Sequence, residues 1–95
     1  MQPEDHSNAA SGADLIAAER QRQIDAEGWT PEHDDTHDNF ELSRAAAVYA
    51  VPDLFPEWWP WDDGWYRRTP ADPVRELVKA GALIAAEIDR LQRAA

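Results

Sequence analysis

The sequence has no cysteine, which excludes disulfide bridges, thiol nucleophiles and cysteine-bound zinc. It has no apolar run near the roughly 18 residues that a membrane-spanning helix needs. Its opening, Met1-Gln2-Pro3-Glu4-Asp5-His6, lacks the basic charge and apolar stretch of a secretory signal. Basic residues are scarce, nine against nineteen acids, and the net charge of −10 speaks against partnership with nucleic acid or an anionic membrane surface. Only four glycines occur, and no glycine-rich phosphate loop can be built from them. A soluble, cytoplasmic chain is expected. Ninety-five residues allow one small domain, with a core too modest for an elaborate active site beneath it.

Residues 1–10 are polar, contain Pro3 and show no apolar period, so a disordered tail is expected there and a single helical domain over 11–95. Ser11-Gly12-Ala13-Asp14 fits a capping box, and the helix it opens should end near Glu27 at Gly28. Its apolar stripe is thin. Ala13, Ile16, Ala17 and Ile24 share a face with Arg20 and Glu27, so the helix is either peripheral or turns those charges toward something other than solvent. Thr30-Pro31-Glu32 reads as a cap and a short turn. A second helix is expected from Asn39 to Val51, ended by Pro52, with Phe40, Ala47, Val48 and Val51 on one face and Leu42, Ala45, Ala46 and Tyr49 on another. Between Pro52 and Pro73 come five prolines and four of the five tryptophans, without a usable period. That stretch is too apolar for disorder and should form an ordered irregular segment packed on the helices. A third helix opens at Asp72-Pro73, with Val74, Leu77, Gly81, Ile84, Ile88 and Leu91 spaced as a clean seam. Gly81 in its middle suits a close approach by another helix or a tryptophan. The expected fold is all-α: three helices with a long, ordered Trp/Pro-rich irregular connection between the second and third.

Three constellations could carry chemistry. The first runs from Glu32 to Asp38, within a stretch of seven acids and no base between residues 25 and 41. His33 and His37, four apart, together with Asp35 and Glu41 offer donors that zinc or manganese would accept; the other reading is a hydrogen-bonded loop ordering the entry to the second helix. The second is the run of aromatic residues at 58–66, with Trp61, Trp65 and Tyr66 leading into Arg67-Arg68. Flat rings beside guanidinium groups suit a nucleobase and its phosphates, although a domain poor in aliphatic residues also fills its core with tryptophan. The third gathers Arg67, Arg68, Arg75 and Lys79 about the start of the third helix, either as an anion site or as counter-charges to the acids. No serine–histidine pair has a readable spacing, and no E-x-x-E pair of the kind that helical nucleotide pyrophosphohydrolases carry is present.

Ala18 to Ile24, Glu27 to Asp35, His37, Glu41-Leu42, Trp58 to Trp61 and Leu77 to Ile88 resemble a widespread set of small phage and prophage proteins, over about residues 15 to 93. That resemblance implies no particular activity. It departs at Asn39-Phe40, where a small residue such as glycine would precede Glu41-Leu42. Ile24 to Thr30, with Asp35, His37 and the later Leu77 to Leu83, is also similar to the ryanodine-receptor repeat, in which a tryptophan pocket can hold an adenine nucleotide. This similarity implies that Trp29 is a stacking platform and Arg20 a polar wall.

The combined expectation is a non-catalytic phage accessory protein, without a cofactor, that sequesters a nucleotide-like anionic small molecule and so counters a host defence signal. Arg20, Trp29, His33, Asp35, His37, Trp61, Trp65, Arg67, Arg68, Arg75 and Lys79 are the expected ligand contacts. A metal-dependent nucleotide pyrophosphohydrolase, or an acidic protein that covers a host defence enzyme, are the alternatives. The seam on the third helix leads us to expect a homo-oligomer.

Overall fold

The computed structural model describes residues 10–95 and folds them into four helices: α1 (Gly12–Glu27), α2 (Pro31–Asp34), α3 (Glu41–Ala50) and α4 (Pro73–Ala94). Single 3-10 turns lie at Pro52–Leu54 and Asp63–Trp65, and no strand forms among the described residues. The fold is all-α. The helix count is four rather than three, because the Thr30-Pro31 turn closes into the four-residue α2. The tail expected at 1–10 lies, but for Ala10, outside the described residues. Among the described residues no helix is long and apolar enough to cross a membrane.

Local chemistry sets the ends of α1. The Asp14 amide donates to Ser11 Oγ at 3.1 Å, and the Ser11 amide donates back to the Asp14 carboxylate at 3.3 Å. Gly28 ends the helix in the left-handed region, at φ 73°, where a side chain would be strained. α4 opens on Asp72, whose carboxylate accepts the Arg75 amide at 3.0 Å, with Pro73 at the first helical position. α3 starts two residues later than expected, because Asp38 does not cap it. Phe40 precedes the helix at φ 64° and the Asn39 amide donates to Glu41 Oε1 at 2.7 Å. The left-handed backbone at Phe40 costs a non-glycine residue about 1–2 kcal/mol, which is the physical reason a small residue is expected there.

The core lies between α3 and α4, where Leu42, Ala45, Val48 and Tyr49 meet Ala80, Leu83 and Ala86. Alanine on both sides lets the two helices approach closely. Each buried Leu or Val contributes roughly 1.5–3 kcal/mol. Only one of the two faces expected on α3 is covered; Phe40 and Val51 point outward while Val48 joins the buried set. The Trp/Pro-rich connection closes the end of this core. Trp59 is buried edge-on against Tyr49, with ring centroids 5.7 Å apart, and its Nε1 donates to the Asp62 carbonyl at 2.9 Å. The Tyr49 hydroxyl accepts the Arg67 amide at 3.0 Å, which ties the far end of the connection to α3.

The seam of α4 is placed opposite to the usual sense of such a pattern. Val74, Leu77, Ile84, Ile88 and Leu91 are exposed, and the inward face instead carries Glu76, Val78, Lys79, Ala80, Ala82, Leu83, Ala86 and Glu87. Only Gly81 is covered, and by a helix, as its composition suggests: a methyl group there would overlap the Ile16 side chain of α1.

Candidate functional site

The first side chain of the site is Arg20. Its guanidinium reaches from α1 to the Asp34 carboxylate and also donates to the Trp29 carbonyl at 3.1 Å. The charge in the apolar stripe of α1 therefore has a buried partner, since Asp34 is only 1% exposed. This bracket fixes the turn after α1, where the Trp29 amide donates back to the Gln23 carbonyl at 3.0 Å. Thr30 caps α2, and the His37 amide donates to the Asp34 carbonyl at 2.9 Å, so Trp29, His33 and His37 emerge on one side of the turn. Burial pushes the Asp34 carboxyl up even though Arg20 opposes the shift. Burial, with His33 alongside, pushes the His37 imidazole below its ordinary range, and Glu41, 3.9 Å from His37 Nδ1, does not offset this.

The connection supplies the opposite wall. Trp61 stands 6.3 Å from Trp29 at 50° and 5.1 Å from the His37 ring, and the buried Trp59 holds it from behind at 5.4 Å. Trp29, His33, Asp34, His37, Trp61 and Trp65 line a cavity of about 400 Å³, completed by Leu42 and Asp62. That volume falls within the range of about 300–1,000 Å³ typical of small-molecule sites. Its V-shaped aromatic wall offers stacking area. Neutral His37 adds one ring donor and one acceptor.

Five expected contacts, Trp29, His33, His37, Trp61 and Trp65, thus converge, and Arg20 stands behind them as the bracket. The others go elsewhere. Asp35 turns away to Arg93 of α4 at 2.7 Å, which removes it from the histidines. Arg75 pairs with buried Glu19 at 2.8 Å and Arg68 approaches Glu76 at 3.5 Å. Lys79 is buried against Glu76 and the Arg67 carbonyl. These three bases are counter-charges to carboxylates rather than a free anion site. Arg67 differs, with its guanidinium 5.8 Å over the Trp65 ring and no carboxylate within ion-pair distance among the described residues.

The metal alternative also loses its geometry. The His33 and His37 rings meet edge-on with centroids 5.0 Å apart, and no three histidine or carboxylate groups converge on a cation among the described residues. The carboxylate pair of a hydrolase is not assembled either: Glu41 caps the Asn39 amide while Glu87 is held by Arg90 at 2.7 Å. Asp34, Leu42 and Asp62 are lining residues that sequence reasoning missed. For Asp34 the available signal was Arg20, a charge in an apolar stripe that required a partner. Comparison with family models, curated proteins and solved structures finds no match to this chain.

Proposed function

We propose that this protein binds a flat heteroaromatic small molecule of nucleotide type, holds it without altering it, and acts by sequestration as a phage accessory protein opposing a host defence signal. The observation that carries the binding reading is the convergence of Trp29, Trp61, Trp65 and His37 on one cavity of about 400 Å³. Such an aromatic wall favours any base through its π-face. His37, kept neutral, hydrogen-bonds the base edge without adding charge. No lysine or arginine belongs to the lining, so the base supplies most of the affinity. The phosphate contributes at the rim, where Arg67 lies over Trp65. Sequestration fits a site that has stacking surface but no group of three metal-ligating side chains among the described residues.

Calorimetric titration with nucleosides, nucleotides and cyclic nucleotides tests this reading. One base class should bind saturably, and its nucleoside should retain most of the affinity. Trp61→Ala should weaken binding about 10- to 100-fold, in line with the about 1–3 kcal/mol of a stacked base. Trp65→Ala, at a half-exposed position that the core does not need, should also weaken it. Arg67→Ala should matter only for the phosphorylated forms, and less as salt rises. Absence of saturable binding, or affinity unmoved by both tryptophan variants, would overturn the proposal.

A further inference from the structure

The outward face of α4 bears five large aliphatic side chains with no partner in the described fold. Val74, Leu77, Ile84, Ile88 and Leu91 are between 42% and 59% exposed. They lie at spacings of 3, 7, 4 and 3, and the intervening position of the repeat, Gly81, is taken up by Ile16 of α1. A helix of 22 residues, about 33 Å long, therefore shows an apolar stripe of 3.5-residue period, the pattern that packs against a second helix. We propose that this stripe is covered by the same stripe of a second copy, the two α4 helices running antiparallel about a twofold axis. The inference is independent of the ligand reading.

Three features commit the occupant to another copy of this chain. First, the stripe is self-complementary in register. Antiparallel pairing centred between residues 82 and 83 sets Val74 opposite Leu91 and Leu77 opposite Ile88, with the two Ile84 side chains on either side of the axis. Secondly, a groove borders the first turn of α4. It measures about 350 Å³ between α1 and α4, with Leu15, Ala18, Val74 and Val78 on its apolar side and charged residues on the other, and it adjoins Val74, the residue opposite the partner's Leu91 in this register. A twofold axis supplies both such contacts at once, as an isologous interface requires. Thirdly, the area suffices. Roughly half of five large aliphatic side chains amounts to on the order of 500 Å², the upper range for the largest apolar patch of a monomer. With Leu15 and the polar rim it approaches the about 800 Å² per partner of a standard interface. The stripe itself carries no charge, so the net −10 of each chain opposes association only from a distance.

Sedimentation equilibrium of the full chain at about 50 µM, well above the Kd of an ordinary specific dimer, should give twice the 10.7 kDa chain mass. Ile88→Asp and, separately, Leu77→Gln should return it to the monomer while the helical circular dichroism is retained, because both positions are half exposed in the single chain. The absence of cysteine allows the register to be read directly. Leu77→Cys mixed with Ile88→Cys should oxidise to the mixed disulfide dimer in preference to either homodimer. A monomeric wild type at this concentration, or a dimer indifferent to both substitutions, would overturn the proposal. Preferential homodimer disulfides would overturn the antiparallel register.

Discussion

Helices α1 and α4 invert each other's chemistry. α1 turns polar residues inward: Glu19 and Gln23 are buried, and Arg20 lies against a buried carboxylate. α4 turns its best aliphatic stripe outward and packs through alanine, one valine, one leucine and three charged residues. Both arrangements are stable for the same reason, which is that every inward charge meets its partner before it meets apolar surface. Glu19 accepts from Arg22, Arg75 and Gln23; Glu76 accepts the Thr69 amide and hydroxyl as well as Lys79; Glu87 is clasped by Arg90. The alanines then allow the helices to close over these pairs. Inside and outside are assigned here by whether a side chain's partners can reach it, and periodicity alone does not report that.

Breaking the buried pair of α1 should have the largest effect. Arg20→Leu leaves Asp34 without a counter-charge at a buried site and should cost about 3–5 kcal/mol in urea unfolding. The deficit should shrink as pH falls, because burial already pushes the Asp34 carboxyl up and favours its protonated form. Replacing Asp34 by Asn in the same chain should recover part of the loss, with the coupling read from the double-mutant cycle.

A sharper contrast can be drawn within α4 itself. Leu83→Ala removes a fully buried side chain between α3 and α4 and should cost about 2–5 kcal/mol. Ile88→Ala on the outer stripe should change the stability of the single chain by no more than about 1 kcal/mol when measured at concentrations too low for association. Equal losses at the two positions would mean that the stripe is covered within one chain.

Acid should act on the α1–α4 junction more mildly. Burial raises the Glu19 pKa, but the hydrogen bonds of Arg22 and Arg75 outweigh it and hold the carboxyl below its ordinary range. A group of that kind stabilises the fold above its unfolded pKa and loses its contribution as pH falls through the folded value. The wild type should therefore lose stability below about pH 4, and Glu19→Gln should lose less on the same acidification. Its melting temperature against pH gives the comparison.

The elements of this fold were legible wherever one residue carries a local reason. Ser11 with Asp14, Gly28, Pro31 and Asp72-Pro73 mark helix ends through capping, left-handed backbone and proline geometry, all of which act within a few residues. The aromatic run reads from sequence equally as core and as ligand contact, and only the packing separates Trp59, buried in the core, from Trp61 and Trp65 at the cavity. What escaped depends on distance. Asp35 and Arg93 are 58 residues apart, and Arg75 and Glu19 meet only once α1 crosses α4. The basic cluster therefore reads from sequence equally as an anion site and as a set of counter-charges, and only the packed helices decide. The α4 seam shows the same thing from the other side, because a repeat identifies a packing face without saying whose helix packs on it.

The central claim is that the Trp29–Trp61–Trp65 cavity holds its ligand and returns it unchanged. The most direct measurement incubates the protein with the nucleotide that binds, separates the complex, denatures it and chromatographs what is released. Our account predicts intact ligand, one molecule per chain, with none retained by Trp61→Ala. Release of a hydrolysed nucleotide, abolished by Glu41→Gln, would contradict it and restore the hydrolase.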